Sequence, residues 1–155
     1  MSQHARTVLI VGGGFSGMAA AIQLRKQGHQ VDLVEIDPGW RSYGAGISLG
    51  GATLRAFRTL GILDAFLAQG NAADGVKLCL PHGPQVAELP TPRIAGADVP
   101  GGGAIMRPVL ARILADATRA SGTRSTASFW LRGNKWLTAP TTGCDLRPST
   151  KRHTA

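Results

Sequence analysis

Four residues near the N-terminus have the types and the spacing of a nucleotide-phosphate site. Gly12, Gly14 and Gly17 form a GxGxxG pattern, and Glu35 follows roughly 20 residues later. In such a pattern the first glycine allows a tight turn, the second lets a pyrophosphate approach the backbone, and the third lets a helix pack against a strand. The carboxylate of Glu35 can accept hydrogen bonds from ribose hydroxyl groups. The pattern therefore predicts a dinucleotide-binding site.

The sequence around these residues predicts the elements that must position them. Residues 7–11 are a continuous apolar run, which is typical of a central parallel strand that is covered on both faces. Residues 18–27 are compatible with a helix, and Gly28 suits the left-handed position that follows one. Residues 30–36 indicate a second strand. The expected fold class is α/β, with a Rossmann-like parallel sheet that starts with a βαβ unit.

The helix start and the acidic residue restrict the kind of dinucleotide. A helix N-terminus presents N–H groups and a partial positive charge to phosphates, so Phe15 and Ser16 join the three glycines as expected cofactor-binding residues. Glu35 disfavours NADP because its carboxylate would repel a 2′-phosphate. The fingerprint by itself leaves NAD and FAD open, since the two share it.

Composition excludes several other classes of protein. The chain has 155 residues, of which 43% are hydrophobic, and this fits a globular domain better than a disordered chain. Cys79 and Cys144 form no CxxC pair, which argues against a structural zinc site and favours a reducing, cytoplasmic setting. The four histidines have no ligand spacing, so no metal site is expected. No apolar stretch approaches the ~18 residues of a membrane span, so no stable membrane anchor is expected.

The net charge of +8 is unevenly distributed along the chain. Residues 122–155 hold six of the 17 basic residues and only one of the nine acidic residues. This segment has no repeat and no nucleic-acid-binding motif, so we expect no nucleic-acid partner.

Two later segments, together with the fingerprint, resemble the FAD-dependent aromatic-ring hydroxylases, the single-component flavoprotein monooxygenases similar to para-hydroxybenzoate hydroxylase. One is RSYGAGISL at residues 41–49, followed by GIL at 61–63, and the other is MRPVL at 106–110. The resemblance covers residues 5–121. It implies FAD as the cofactor, NAD(P)H as the co-substrate that reduces the flavin, and O₂ as the source of an oxygen atom for a small organic, typically aromatic, substrate.

The resemblance also implies roles for two arginines. Arg41 would lie near the ribityl–phosphate part of FAD, and Arg107 would bind the phosphate or the ribityl chain. A separate argument supports Arg107: a cation at a helix start opposes the helix dipole, and a phosphate would compensate it. The alternative is an arginine that points into solvent. No residue is assigned as a catalytic acid or base, and Asp64, Asp74 and Asp116 are expected to be isolated and solvated.

The rest of the chain fits only part of such an enzyme. Residues 75–80 and 85–89 indicate a small hairpin, which in the family begins the substrate-side sheet. The family's later flavin-contacting motifs are not visible. The expected organisation is a partial FAD-binding domain at 1–121 and a basic, poorly packed tail at 122–155, produced by a truncation or by a shift of reading frame. One short strand near 129–131 is expected at the sheet edge.

The expected function is the FAD-binding N-terminal part of a flavin-dependent monooxygenase, inactive as the isolated chain. One alternative is a non-oxygenating FAD-dependent oxidoreductase. Another is a non-catalytic dinucleotide-binding module or remnant. The sequence leaves open whether the chain is itself an enzyme, what its substrate is and how it oligomerises.

Overall fold

The computed structural model describes residues 6–37, 39–131 and 135–140. The chain forms two compact units, one made of Met1–Trp40 with Thr118–Ala155 and the other of Arg41–Ala117. In chain order the elements are β1 (Thr7–Val11), α1 (Phe15–Lys26), β2 (Gln30–Glu35), β3 (Gly46–Gly50), α2 (Gly51–Leu60), α3 (Leu63–Gln69), β4 (Asn71–Ala73), β5 (Val76–Cys79), β6 (Gln85–Leu89), β7 (Gly102–Met106), α4 (Arg107–Ala120), β8 (Arg124–Leu131) and β9 (Lys135–Pro140). Among the described residues, no helix is long and apolar enough to cross a membrane.

The first unit contains the predicted βαβ arrangement. Its sheet has the order β1-β2-β8-β9, in which β1, β2 and β8 run parallel and β9 pairs antiparallel with β8. Helix α1 connects β1 to β2 and buries Met18, Ala21 and Ile22. On β2, Val31 and Leu33 alternate with more exposed residues and are almost fully buried. The α/β fold class predicted from the sequence is confirmed.

The end of α1 explains why the chain turns back into the sheet at this point. Gly28 has a φ of +84°, and the N–H of His29 donates to the Leu24 carbonyl at 3.1 Å. Glycine adopts this left-handed conformation without the steric cost of a Cβ, so it ends the helix cleanly. Arg25 donates to the carbonyls of His29 and Ser121, which places a cation where the helix dipole is negative. The predicted role of Gly28 is confirmed.

The predicted covering of β1 on both faces is wrong for the described part of the chain. Strand β1 lies at one end of the sheet order, and Leu9 and Val11 are 64% and 72% exposed. A continuous apolar run is typical of a strand that has other elements packed on both faces, but those elements must come from other segments. Within the described residues, only the face that carries Ile10 has helix α1 against it, where Gly17 approaches Ile10.

The second unit is built on a small antiparallel sheet with the order β3-β7-β4. Helices α2 and α3 bury a compact apolar cluster, in which the rings of Phe57 and Phe66 have centroids 5.4 Å apart. Gly61 has a φ of +81° and ends α2, so the chain can turn at once into α3. Leu54 and Ile62 complete the buried cluster.

The predicted hairpin is present in the second unit as β5 and β6. Val76 pairs with Leu89, and Lys77 pairs with Glu88 on the opposite face, where unlike charges face each other across the strands. Val76, Leu78 and Leu89 are about half exposed. The hairpin thus carries the Lys77–Glu88 pair on one face and a row of half-exposed apolar side chains on the other.

Asp74 is exposed, as the sequence predicted, but it is not isolated. Its carboxylate accepts hydrogen bonds from the Arg93 guanidinium and, at 2.9 Å, from the Gly101 N–H. These two donors, with the charge of Arg93, hold the pKa of Asp74 below its usual value. Asp74 therefore ties both ends of the segment between β6 and β7 to the start of the hairpin. The sequence missed this role because the partners lie 19 and 27 positions away.

Strand β8 extends the first unit's sheet beyond residue 121. Residues 124–127 pair in parallel with β2, and residues 126–131 pair with β9. The strand expected near 129–131 is thus the second half of a longer element, and the expected edge position is wrong because β8 lies between β2 and β9 in the sheet order. Residues 132–134 and 141–155 lie outside the described residues, so the expected domain boundary and the expected poorly packed, out-of-frame tail stay predictions.

Candidate functional site

The glycine turn at the end of β1 is formed by the backbone of the first unit. Gly12 has a φ of +103°, which only glycine adopts readily, and its N–H donates to the Val34 carbonyl at 2.7 Å. This hydrogen bond joins the turn to β2. Helix α1 begins three residues later at Phe15, earlier than the helical stretch predicted from the sequence. The turn and the first helical turn therefore form one continuous structure.

Gly17 provides the close approach between helix and strand that the fingerprint predicts. A Cβ added at Gly17 would lie 1.9 Å from the Gly12 carbonyl oxygen and 3.4 Å from a methyl group of Ile10. Real side chains do not occur at such a distance from a backbone oxygen. The third glycine is therefore required by the packing of α1 on the turn, independently of any ligand.

Gly14 and the start of α1 leave open space where a phosphate would bind. A Cβ added at Gly14 would meet no atom within 4 Å. The Gly14 carbonyl accepts the Met18 N–H at 2.9 Å, which starts the helix, and the first turn of α1 has neither an acidic residue nor a side-chain cap at Gly14. The N–H groups of a helix start need partners, and they attract anions. Phe15 and Ser16 belong to this first turn, so the geometry fits the diphosphate of a dinucleotide.

Glu35 lies at the end of β2 and folds its side chain onto the glycine turn. The Gly13 N–H donates to one carboxylate oxygen, and the Asp37 N–H donates to the other at 3.0 Å. A carboxylate offers about four acceptor positions, so these two bonds leave capacity for ribose hydroxyls. The structure thus brings Glu35 to the turn, as the spacing predicted.

Gly13 is a residue of this site that the sequence pattern did not identify. A Cβ added there would lie 3.1 Å from the Cβ of Glu35, so the carboxylate and the turn are in direct contact. The GxGxxG pattern leaves this position unspecified. Gly13 could have been identified from the pairing of Val11 with Val34, because this register brings the residues that follow the two strands close together.

The second unit joins the two segments that the resemblance placed beside the flavin. Strands β3 and β7 pair so that Gly46 lies opposite Met106, and the Arg107 N–H donates to the Ala45 carbonyl at 3.2 Å. Gly44 has a φ of +118°, and a Cβ added there would lie 3.5 Å from the Cδ of Arg107. The stem of Arg107 therefore passes directly over Gly44.

Arg41 and Arg107 are both exposed, and Arg41 lies three residues before Gly44 in the same segment. Helix α4 starts at Arg107 itself. The pairing of β3 with β7 explains how Gly44 and Arg107, about 60 positions apart in the sequence, come into contact.

Comparisons with known proteins agree with this geometry. The model of the FAD binding domain family matches residues 5–132. The aurachin C monooxygenase/isomerase of Stigmatella aurantiaca is 37% identical over 93 residues, which are 60% of this chain and 24% of that protein. A salicylate hydroxylase of Pseudomonas putida is 46% identical over 59 residues, which are 37% of this chain and 14% of the hydroxylase.

A solved structure shows the same fold. The tetrameric form of 2-methyl-3-hydroxypyridine-5-carboxylic acid oxygenase superimposes with a TM-score of 0.69 and 27% sequence identity, over 94% of this chain and 38% of that chain. The chain thus spans about a quarter to two fifths of the length of the aurachin C enzyme and of this oxygenase.

Proposed function

The chain belongs to the FAD binding domain family, and from that membership we propose that it is the N-terminal, FAD-binding part of a flavin-dependent monooxygenase that hydroxylates a small organic, aromatic substrate. The observation that carries the proposal is the contact between Glu35 and the glycine turn at the start of α1. This arrangement combines an anion-binding helix start with a fixed carboxylate, which are the two groups that the adenosine diphosphate half of FAD requires.

Bound FAD would supply the redox and oxygen-transfer chemistry, and the residues of this chain supply binding and orientation. Gly12 and Gly14 let the diphosphate approach the backbone, and the first turn of α1 donates N–H groups to it. Glu35 accepts from the ribose hydroxyls and disfavours a 2′-phosphate by charge repulsion. These contacts fix the adenosine half of the cofactor, so the flavin half is oriented from one end.

Arg41 and Arg107 are the proposed contacts to the phosphate and ribityl part of FAD. The support is the resemblance of both segments to the aromatic-ring hydroxylases, together with the packing of the Arg107 stem on Gly44. A guanidinium at the start of α4 opposes that helix's dipole, and a bound phosphate compensates both charges. The proposed co-substrate is NAD(P)H, and the two cysteines without a CxxC pair favour a reducing, cytoplasmic setting.

We further propose that the chain by itself binds FAD without hydroxylating anything. One support is that the chain spans only about a quarter to two fifths of the length of those relatives. The other is that Leu9 and Val11 are exposed on β1, although continuously apolar strands of this kind are covered on both faces in complete α/β sheets. A site missing such layers holds the isoalloxazine ring in contact with water, which works against chemistry that depends on excluding water.

The test is a visible absorption spectrum of the purified chain after incubation with FAD and gel filtration, followed by assays of NADH and NADPH oxidation with salicylate as a probe. We expect co-eluting flavin and no hydroxylated product. Flavin-dependent NADH oxidation without product would instead favour a non-oxygenating oxidoreductase. Protection of the fold by NAD but not by FAD would contradict the proposal and favour an NAD-binding module.

A further inference from the structure

Trp40 has an unusual backbone for its residue type. Its φ is +50°, and among the described residues no other non-glycine residue has a positive φ. The left-handed region is disfavoured for a residue with a Cβ, and it is especially uncommon for a bulky one. The side chain is nevertheless only 7% exposed. Specific contacts must therefore hold this residue in place.

Two contacts of Trp40 fix its position within the first unit. The guanidinium carbon of Arg119, on the last turn of α4, lies 4.9 Å from the centroid of the tryptophan ring. This distance is in the range of a favourable cation–π interaction. On the backbone side, the Trp40 N–H donates to the Asp37 carbonyl at 3.0 Å, which closes the turn after β2.

The same turn supports the carboxylate of Glu35. The Asp37 N–H donates to Glu35 at 3.0 Å, and the Gly39 N–H donates to the side chain of Asp37, also at 3.0 Å. Asp37 is thus bound at its carbonyl by Trp40, at its side chain by Gly39 and at its N–H by Glu35. If Trp40 moved, the carbonyl of Asp37 would lose its hydrogen bond. The Asp37 N–H would then no longer be held in the direction of the Glu35 carboxylate.

We propose that Trp40 is a positioning residue for nucleotide binding: it is held by the guanidinium of Arg119, and it keeps the Asp37 N–H directed at the Glu35 carboxylate. This proposal rests on the proposed function, since it concerns the carboxylate that would bind the ribose. The last turn of α4 therefore influences nucleotide affinity through Trp40.

The first experiment needs no ligand and follows amide hydrogen exchange in the full chain. Trp40→Asn removes the ring but keeps a residue that tolerates the left-handed conformation. We expect exchange at Asp37 to accelerate by at least about fivefold, the ratio that one cation–π contact contributes, because the buried ring is lost as well. The Gly12 and Gly28 amides, which bind the Val34 and Arg25 carbonyls, should be unchanged. Unchanged exchange at Asp37, or uniform acceleration at all three amides, would overturn the proposal.

The role of Arg119 has its own matched pair of variants. Arg119→Gln removes the charge, and Arg119→Lys keeps it, so exchange at Asp37 should accelerate in the first and return close to the wild-type rate in the second. If the two variants changed the exchange rate at Asp37 equally, the positive charge above Trp40 would not stabilise the turn.

The second experiment compares ADP with 2′-deoxy-ADP, which lacks one of the hydroxyls assigned to Glu35. We expect the wild type to prefer ADP, Glu35→Ala to abolish the preference, and Trp40→Asn to reduce it by roughly fivefold. An equal loss of affinity for both nucleotides in Trp40→Asn would indicate a merely structural role and contradict the proposal. If the wild type binds neither nucleotide, the proposed function fails, and hydrogen exchange at Asp37 still decides whether Trp40 supports Glu35.

Discussion

The glycine turn of the first unit and the Gly44–Arg107 contact of the second unit are built in two different ways, and both are proposed to contact the cofactor. In the turn, the backbone itself forms the proposed binding surface, and Gly12, Gly17 and Glu35 are within 25 residues of one another. In the second unit, an exposed side chain about 60 positions away passes over Gly44 because β3 and β7 pair.

This difference determines what a substitution can do in each region. At Gly17, an added methyl group collides with a backbone oxygen of the turn that cannot move away, so the expected effect is steric and large. At Arg107, the side chain is exposed and its stem is flexible, so the expected effect is the loss of one screened charge.

Gly17→Ala is expected to have the largest effect, because its Cβ would lie 1.9 Å from the Gly12 carbonyl oxygen. We expect the free energy of unfolding to fall by about 1–3 kcal/mol, as for other overpacked sites, and FAD binding to be lost with it. Urea unfolding and FAD titration measure the two effects.

The matched control for this steric effect is Gly14→Ala. A Cβ there meets nothing within 4 Å, so we expect the free energy of unfolding to change by less than about 0.5 kcal/mol. FAD affinity should nevertheless fall, because the methyl group occupies the approach of the diphosphate. If both variants unfold at the same urea concentration as the wild type, the backbone of the turn can move to accommodate a Cβ at Gly17, which would contradict the steric explanation.

Glu35→Ala is expected to have the next largest effect. It should weaken FAD binding by about 1–3 kcal/mol, because the ribose hydroxyls and the Gly13 N–H lose a charged acceptor. Isothermal titration calorimetry measures the change. Glu35→Gln keeps the shape and one acceptor oxygen but removes the charge, so its loss should be smaller. Equal affinity of wild type and Glu35→Ala would refute the ribose contact.

Arg107→Gln is expected to have the smallest effect on FAD affinity. A loss of about 1 kcal/mol is expected at low salt, and less in high salt, because the charge is exposed and screened. The control is Arg112→Gln, five residues further along α4, where the guanidinium binds the Gln69 side chain. A loss as large as that of Glu35→Ala would mean that the second unit contributes to binding as strongly as the turn.

The sequence predicted the βαβ unit and the hairpin because the signals for these elements are local. The apolar run of β1, the glycine turn and Gly28 each act on their immediate neighbours, and so does the Pro-His-Gly-Pro turn between β5 and β6. The contacts that each element makes with distant segments were less predictable. The exposure of Leu9 and Val11 depends on remote segments, and the ion pair of Asp74 with Arg93 depends on how the hairpin folds back.

The candidate site follows the same rule. Gly12, Gly14, Gly17 and Glu35 were identified from their types and spacing alone. Arg107 and Arg41 were identified through the family resemblance. Trp40 could not be predicted, because its role depends on a left-handed conformation that tryptophan rarely adopts.

The central claim is that the glycine turn and Glu35 bind the adenosine diphosphate half of FAD. Its most direct test is a titration of the purified chain into FAD, followed by flavin fluorescence and repeated with Glu35→Ala. We expect saturable binding of one FAD per chain, with an affinity reduced by roughly tenfold in Glu35→Ala, within the range for a lost charged acceptor. The absence of saturable binding to the wild type, or an unchanged affinity in Glu35→Ala, would contradict it.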